Sequence, residues 1–198
     1  MIVFKPKRWL TLQSCLKYDC IRIEPASISD APRLFTIMSD PGVANSTGFT
    51  VARTIEDVEH YISGYLRQGD IWCIWLGDEI IGAASYVYKI ESPTIPLGNL
   101  GIFLGRSYQH KGIGSFIMEA LLRYIFVERS FEQVTCCAFR ANALSYRLIQ
   151  RYFHGSEKVL FKAFYIPTHT LSDFVCKTMT RKEYFMEYCY DKDSSYSV

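Results

Sequence analysis

Apolar positions along this chain recur at two spacings, and the change from one to the other divides it into elements. Ile21 and Ile23 alternate with polar neighbours between Cys20 and Glu24, the period of a half-buried strand. Ala31, Leu34, Phe35 and Met38 then follow at helical spacing, with Ser29 as a candidate N-cap and Pro32 tolerated in the first turn. Asp40-Pro41-Gly42 closes that helix, and residues 42–53 have no period and read as loop. Thr54, with Asp57 three residues on, has the form of a capping box ahead of the stripe Ile55, Val58, Ile62, Tyr65 and Leu66.

Two β-rich runs, 71–76 and 79–88, flank Gly77-Asp78 and predict a hairpin. Residues 91–96 are a turn-rich break. Residues 97–104 predict another strand, whose Gly98 and Gly101 mark a bulge or a close backbone approach. The most regular helix covers 112–128, with Ile113, Phe116, Ile117, Ala120, Leu121, Tyr124 and Ile125 on one face. A strand at 133–139, a helix at 143–152 and strands at 158–166 and 173–180 complete the order β-α-α-β-β-β-α-β-α-β-β. Helices that interrupt a largely hairpin-connected sheet predict an α+β (mixed α/β) class in one domain. A doubly wound sheet would alternate strand and helix throughout. Residues 1–18 read as an extension, 19–185 as the domain, and 186–198 as a polar tail.

The 198 residues fit one domain able to bury a substantial core, and 49% apolar residues exclude wholesale disorder. A net charge of +2, with both signs interspersed, offers no basic stripe for nucleic acid, so the aromatic residues read as core and cleft. The seven cysteines form no CxxC pair and the four histidines are scattered, which predicts reduced thiols and no metal centre. No apolar stretch follows the basic residues Lys5, Lys7 and Arg8, and none approaches the roughly 20 residues that span a bilayer. The expectation is a soluble cytoplasmic protein, monomer or homodimer.

The chemistry concentrates where the strand at 97–104 passes through Gly105–Tyr108 into Gln109-His110-Lys111-Gly112-Ile113-Gly114-Ser115. A helix start presents unpaired N–H groups and the positive end of a dipole, and glycines let backbone approach a ligand. Together these suit a phosphate or pyrophosphate. A Walker loop would need GxxxxGK[ST], which is absent, and a dinucleotide fingerprint would need a third glycine where Ile117 stands. A plain strand–turn–helix, and a nucleotide site built on the same glycines, remain open on this segment alone.

Gln-x-x-Gly-x-Gly entered from a strand resembles the acetyl-CoA loop of the GNAT N-acetyltransferases. Asn142-Ala143-Leu144-Ser145 resembles that family's Asn-x-x-Ser at the start of the next helix. Residues 159–165 and 173–180, then Arg181-Lys182-Glu183-Tyr184, resemble the closing strands of the ribosomal-protein-alanine acetyltransferase (RimJ/RimL-like) branch. The resemblance spans residues 20–185. It implies a central, mostly antiparallel sheet of six to seven strands, splayed in the middle to hold acetyl-CoA as co-substrate.

Residue by residue, the resemblance assigns Gln109, His110, Lys111, Gly112, Ile113, Gly114 and Ser115 to the pyrophosphate. It assigns the backbone of Ile102, Phe103 and Leu104 to pantetheine and to the thioester carbonyl, and Asn142 to the pantetheine arm. Ser145 would lie near the sulfur, as proton donor to the leaving thiolate or as a small packed residue. Two positions depart from the family pattern. Asn99 stands where many relatives carry a glutamate base, and Ile149 where many carry a tyrosine acid.

An α-amine of pKa about 7.7–8.0 is roughly 10–20% neutral at pH 7, whereas a lysine amine is about 0.04% neutral. A site without a strong base therefore suits a protein or peptide N-terminus better than lysine, provided that Glu56, Asp70 and Glu91 do not reach the acceptor. The alternatives are a small amine such as a polyamine or aminoglycoside, and an acyl-CoA-binding module without turnover. The acceptor is expected to meet residues 42–53 and 89–96.

Overall fold

The structure, a computed structural model, describes residues 21–89 and 97–188. Strand β1 (Ile21–Pro25) leads through a turn capped by Ser27 into α1 (Ala31–Met38). Ser29, the candidate cap, lies inside that turn. Helices α2 (Pro41–Thr47) and α3 (Ile55–Gln68) follow, then β2 (Gly69–Leu76), β3 (Glu79–Val87) and β4 (Asn99–Leu104). After β4 come α4 (Ile113–Arg123), continued by one wide turn to Glu128, then β5 (Gln133–Phe139) and α5 (Ala143–Tyr152). The hairpin β6 (Lys158–Tyr165) and β7 (Thr170–Thr180) and the helix α6 (Arg181–Tyr188) complete the order. Residues 90–96, read as a turn, lie outside the described residues.

The strands form one seven-stranded sheet in the order β1-β2-β3-β4-β5-β7-β6. Every neighbouring pair is antiparallel except β4 and β5, which are joined through α4. The expected α+β class with a mostly antiparallel sheet is what the chain adopts.

One apolar layer lies between the sheet and α4–α5, where Ile117, Leu122, Ile125 and Phe126 are fully buried against Leu100, Val134 and Met179. The other holds Leu34, Val58 and Ile62 of α1 and α3 against Ile71, Ala83 and Phe103. Side chains of β4 thus alternate between the two layers, as a strand's period of two requires.

Local capping explains two helices. Asp57 N–H donates to Thr54 Oγ1 at 3.2 Å, and Thr54 N–H to Asp57 Oδ2 at 3.0 Å, which is the capping box read from the sequence. Helix α2 corrects the reading of 42–53 as loop throughout. Asp40 accepts from Gly42 N–H at 2.8 Å, Pro41 occupies the first helical position, and Gly48 ends the helix in the left-handed region at φ +86°. Only Val43 and Ala44 of α2 are buried, so it carries too little apolar pattern to be read as a helix. Residues 181–184, likened above to a closing strand, open α6 instead. Thr180 N–H donates to Glu183 Oε2 at 2.7 Å and caps it.

Candidate active site

The parallel contact between β4 and β5 is brief. Asn99 registers with Thr135, and Thr135 N–H donates to Gly98 C=O at 2.7 Å. One residue later the Cys136 thiol donates to Leu100 C=O at 3.2 Å, where a strand partner would otherwise sit. From Gly101 onward the ladder between the two strands is lost, while β4 stays paired with β3 through Leu104. The splay that the resemblance implies is present, and two cavities occupy it.

The first, of about 410 Å³, lies at the entry to α4. Gly112 stands before the helix at φ +84°, a conformation that strains any residue with a Cβ, and no side chain caps the turn that follows. His110 takes φ +59° in the same loop, so its backbone rather than its ring shapes the turn. The Gln109 side chain donates back to Leu104 C=O at 3.0 Å and fixes the loop to the end of β4. Gln109, His110, Gly112, Gly114 and Ser115 line this cavity, with Ile102, Phe103 and Leu104 on the strand side and Asn142 and Ser145 opposite.

Two of the sequence candidates stand apart. Ile113 is buried in the core at 4% exposure, and the Lys111 ammonium lies 5.8 Å over the Tyr108 ring; neither side chain lines the cavity. Sequence reasoning missed Arg147 and Arg151, which line it from α5. Arg151 donates to Ser115 Oγ at 3.1 Å. Their signal was in the chain: Leu144, Arg147, Leu148 and Arg151 follow i, i+3, i+4, i+7 and share one helix face. That face carries two cations opposite an uncapped helix start, a combination that attracts anions.

The second cavity, of about 360 Å³, opens between β4 and β5 toward α2 and α3. Asn99, Gly101 and Phe103 come from β4, Ser85 from β3, and Cys137 and Phe139 from β5. Residues 46–49 and the rings of Tyr61 and Tyr65 close the far side, so part of the expected acceptor segment 42–53 does meet the cavity. No Asp, Glu, His, Lys or Arg lines it among the described residues. Burial, with Tyr65 beside it, pushes the Tyr61 hydroxyl well above its ordinary value, and burial also raises the Cys137 thiol.

The two cavities share Ser46, Thr47, Ile102, Phe103, Asn142, Ser145 and Leu148. Asn142 is a latch: its Nδ2 donates to Ser46 C=O at 2.7 Å and its Oδ1 accepts from Ser145 N–H at 3.2 Å. Its side chain therefore caps α5 and ties it to α2. Ser145 stands at the mouth between the cavities. Ile149 is buried in the wall at 4% exposure. The nearby tyrosines are engaged elsewhere. Tyr146 donates to Glu157 Oε2 at 2.9 Å and Tyr152 to Glu119 Oε1 at 2.6 Å. Burial and that carboxylate push Tyr152 up to about 12. Asp70 is held by Arg129 at 2.8 Å and does not line either cavity, nor does Glu56; Glu91 lies outside the described residues.

The parallel pair that parts after Asn99 and the glycine-opened start of α4 thus bound two adjoining cavities. The family model of the acetyltransferase (GNAT) domain matches residues 21–152, and the chain belongs to that family of N-acetyltransferases. Solved structures agree in fold. A GNAT-family acetyltransferase from Bacillus anthracis is 18% identical over 82% of this chain and 96% of its own, with a TM-score of 0.63. A RimL ribosomal L7/L12 α-N-protein acetyltransferase in complex with coenzyme A is 16% identical over 83% and 96%, with a TM-score of 0.63. Spermidine N-acetyltransferase from Vibrio cholerae, in complex with CoA and spermine, is 9% identical over 84% and 99%, with a TM-score of 0.66. Among curated protein sequences none matches the chain significantly. No helix of the described residues is long and apolar enough to cross a membrane.

Proposed function

We propose that this enzyme uses acetyl-CoA to acetylate the α-amine of a protein or peptide, in the manner of the RimJ/RimL-like branch. The observation that carries the reading is the second cavity, whose described lining contains no carboxylate and no other strong base. A polyamine or aminoglycoside brings several positive charges, and a lining without carboxylates leaves them unpaired. A lysine amine must shed a proton at a cost of 4 to 5 kcal/mol at pH 7, against about 1 kcal/mol for an α-amine. The α-amine is the acceptor that such a cavity can serve.

In this reading the activated thioester of acetyl-CoA supplies the acetyl group. The backbone N–H groups at the start of α4, with Gly112 and Gly114 clearing the approach, hold the pyrophosphate, and Arg147 and Arg151 add charge from across the cavity. The edge of β4 at Ile102–Leu104, which has no strand partner on the β5 side, receives the pantetheine arm and offers an N–H to the developing oxyanion. Ser145, at the mouth between the cavities, sits where a hydroxyl can donate to the leaving sulfur. Asn142 acts through position, since both ends of its amide are already used. Proximity within the splay supplies the larger share of the rate.

The test is thiol release from acetyl-CoA against peptides with free N-termini, lysine peptides blocked at the N-terminus, polyamines and aminoglycosides. Release confined to free N-termini is the expected result. Release with blocked lysine peptides or polyamines alone would overturn the α-amine reading, and CoA binding without release to any amine would favour a binding module.

A further inference from the structure

One polar atom in the acceptor cavity has no counterpart. Asn99 lines that cavity, and its Oδ1 is buried with no hydrogen-bond partner. A buried acceptor left unpaired is destabilising, and natural interiors retain few of them without a reason. Asn99 is the residue of β4 that registers with β5, opposite Thr135, and beyond it the two strands part. The neighbouring polar groups are already committed. Thr135 Oγ1 pairs with Thr178 Oγ1 at 2.8 Å, and Tyr86, one strand over, donates to Gln133 C=O at 2.8 Å. An amide side chain turns about χ2 over a broad range at little cost, so a modest rotation is enough to present Oδ1 to the cavity that Asn99 lines.

We infer that Asn99 Oδ1 is the docking point for the acceptor amine: it accepts a hydrogen bond from the neutral amine and aims the lone pair at the thioester, without taking a proton. This deepens the α-amine reading and rests on it. In the step so guided, the amine nitrogen forms a bond to the acetyl carbon and the carbon–sulfur bond breaks. The electron pair leaves on sulfur, and the proton lost by nitrogen ends on the thiol through Ser145 or water. Asn99 enters and leaves as the same neutral amide.

The consequence is a pH dependence that belongs to the substrate. The titratable groups facing the cavity near Asn99 are Tyr61 and Tyr65 from α3 and Cys136 and Cys137 from β5; β3 contributes only Ser85. Burial raises Tyr61, Cys136 and Cys137, so none of these three ionises in the working range. The acid limb of kcat/KM therefore follows the ionisation of whichever amine is supplied.

The experiment measures kcat/KM against pH for two peptides that differ only in an N-terminal residue chosen to change the α-amine pKa by about one unit. It is run on the wild-type enzyme, on Asn99→Leu and on Asn99→Asp, with thermal unfolding and CoA affinity of each variant as controls. The wild-type inflection should move with the peptide. Asn99→Leu should lower kcat/KM for the peptide about ten- to a hundredfold, with CoA affinity unchanged. Asn99→Asp, which places a carboxylate at the amine, should move the inflection to lower pH and make it the same for both peptides. A wild-type inflection common to both peptides, an Asn99→Leu enzyme within twofold of wild type, or an Asn99→Asp profile superposed on wild type would each overturn the inference. If the wild-type enzyme acetylates only some other class of amine, the α-amine reading falls. The same profiles on that amine then still decide what Asn99 does.

Discussion

Gly114 offers a way to separate charge from folding at the start of α4. The more obvious target, Gly112, sits at φ +84°, so any substitution there strains the backbone and confuses lost binding with lost structure. Gly114 is the second residue of α4, has ordinary helical geometry, and a Cβ built on it meets only Leu148 Cδ2 at 3.7 Å, a normal contact. Replacing glycine in a helix gains about 0.5–1 kcal/mol of backbone entropy. An acidic residue in the first turn adds about 0.3–1 kcal/mol with the helix dipole. Gly114→Asp should therefore keep or slightly raise the melting temperature.

Its effect on CoA should be opposite in sign. Two like charges about 4 Å apart repel by about 4 kcal/mol at an effective dielectric of about 20, close to a thousandfold in affinity. Solvent at the open cavity and the two facing arginines reduce this, so a loss of about thirty- to a thousandfold is expected. Gly114→Asn has nearly the same shape without the charge and isolates the steric part. Calorimetric titration of CoA into the three proteins, with melting curves alongside, measures both effects. If the Asp variant bound CoA within threefold of the Asn variant, the placement of pyrophosphate at this helix start would be refuted.

Three further outcomes follow from the same geometry. Replacing both Arg147 and Arg151 by Ala should weaken CoA binding about tenfold or more and flatten its dependence on salt, measured by titration between low and moderate ionic strength. Asn142→Ala leaves Ser46 C=O and Ser145 N–H without their partner, and should cost about 1–3 kcal/mol in urea unfolding while lowering kcat more than it changes CoA affinity. Asp57 is held below its ordinary value of 3.8, first by the Arg53 and Thr54 N–H groups that bond to it. A carboxylate depressed in the folded state stabilises above its unfolded pKa and loses that contribution as pH falls through the folded value. The melting-temperature gap between wild type and Asp57→Asn should thus be constant above pH 5 and close as the pH falls below about 4.

Periodic segments were legible in the chain because burial imposes the period. Helix α4 shows its stripe of Ile113, Ile117 and Leu121 in the sequence because those side chains are its buried face. Helix α2 was hidden because it lies against the domain with two buried residues, and caps rather than pattern specify it. The glycine loop could be read because its requirement is on the backbone, and backbone demands show as glycine. The acceptor cavity could not. Its walls come from segments as far apart as residues 46–49, Tyr61, Ser85, 99–103, 136–139, Ile149 and Phe174, brought together by a sheet whose strand order departs from chain order at β7 and β6. The missing partner of Asn99 Oδ1 is likewise a property of packing, which no spacing in the sequence records.

That division bears on how such an enzyme can change acceptor. The proposed anion cradle is built mainly from one continuous segment, β4 to α4, with one face of α5 and Gly42, Ser46 and Thr47 of α2, and a parallel strand–helix–strand crossover places the end of β4 and the start of α4 at the same edge of the sheet. The proposed acceptor cavity shares Ile102 and Phe103 of β4 with it, and α2, α3 and the β6–β7 hairpin supply further walls. Phe161 lines the second cavity and not the first, whereas Phe49 and Tyr61 also line only the second but pack on Phe103, which belongs to both. Asn99 belongs to the second cavity's wall as well, although it is part of β4. If Asn99 docks the amine as proposed, a carboxylate at position 99 should change which amines react without touching the first cavity, whose lining does not include residue 99.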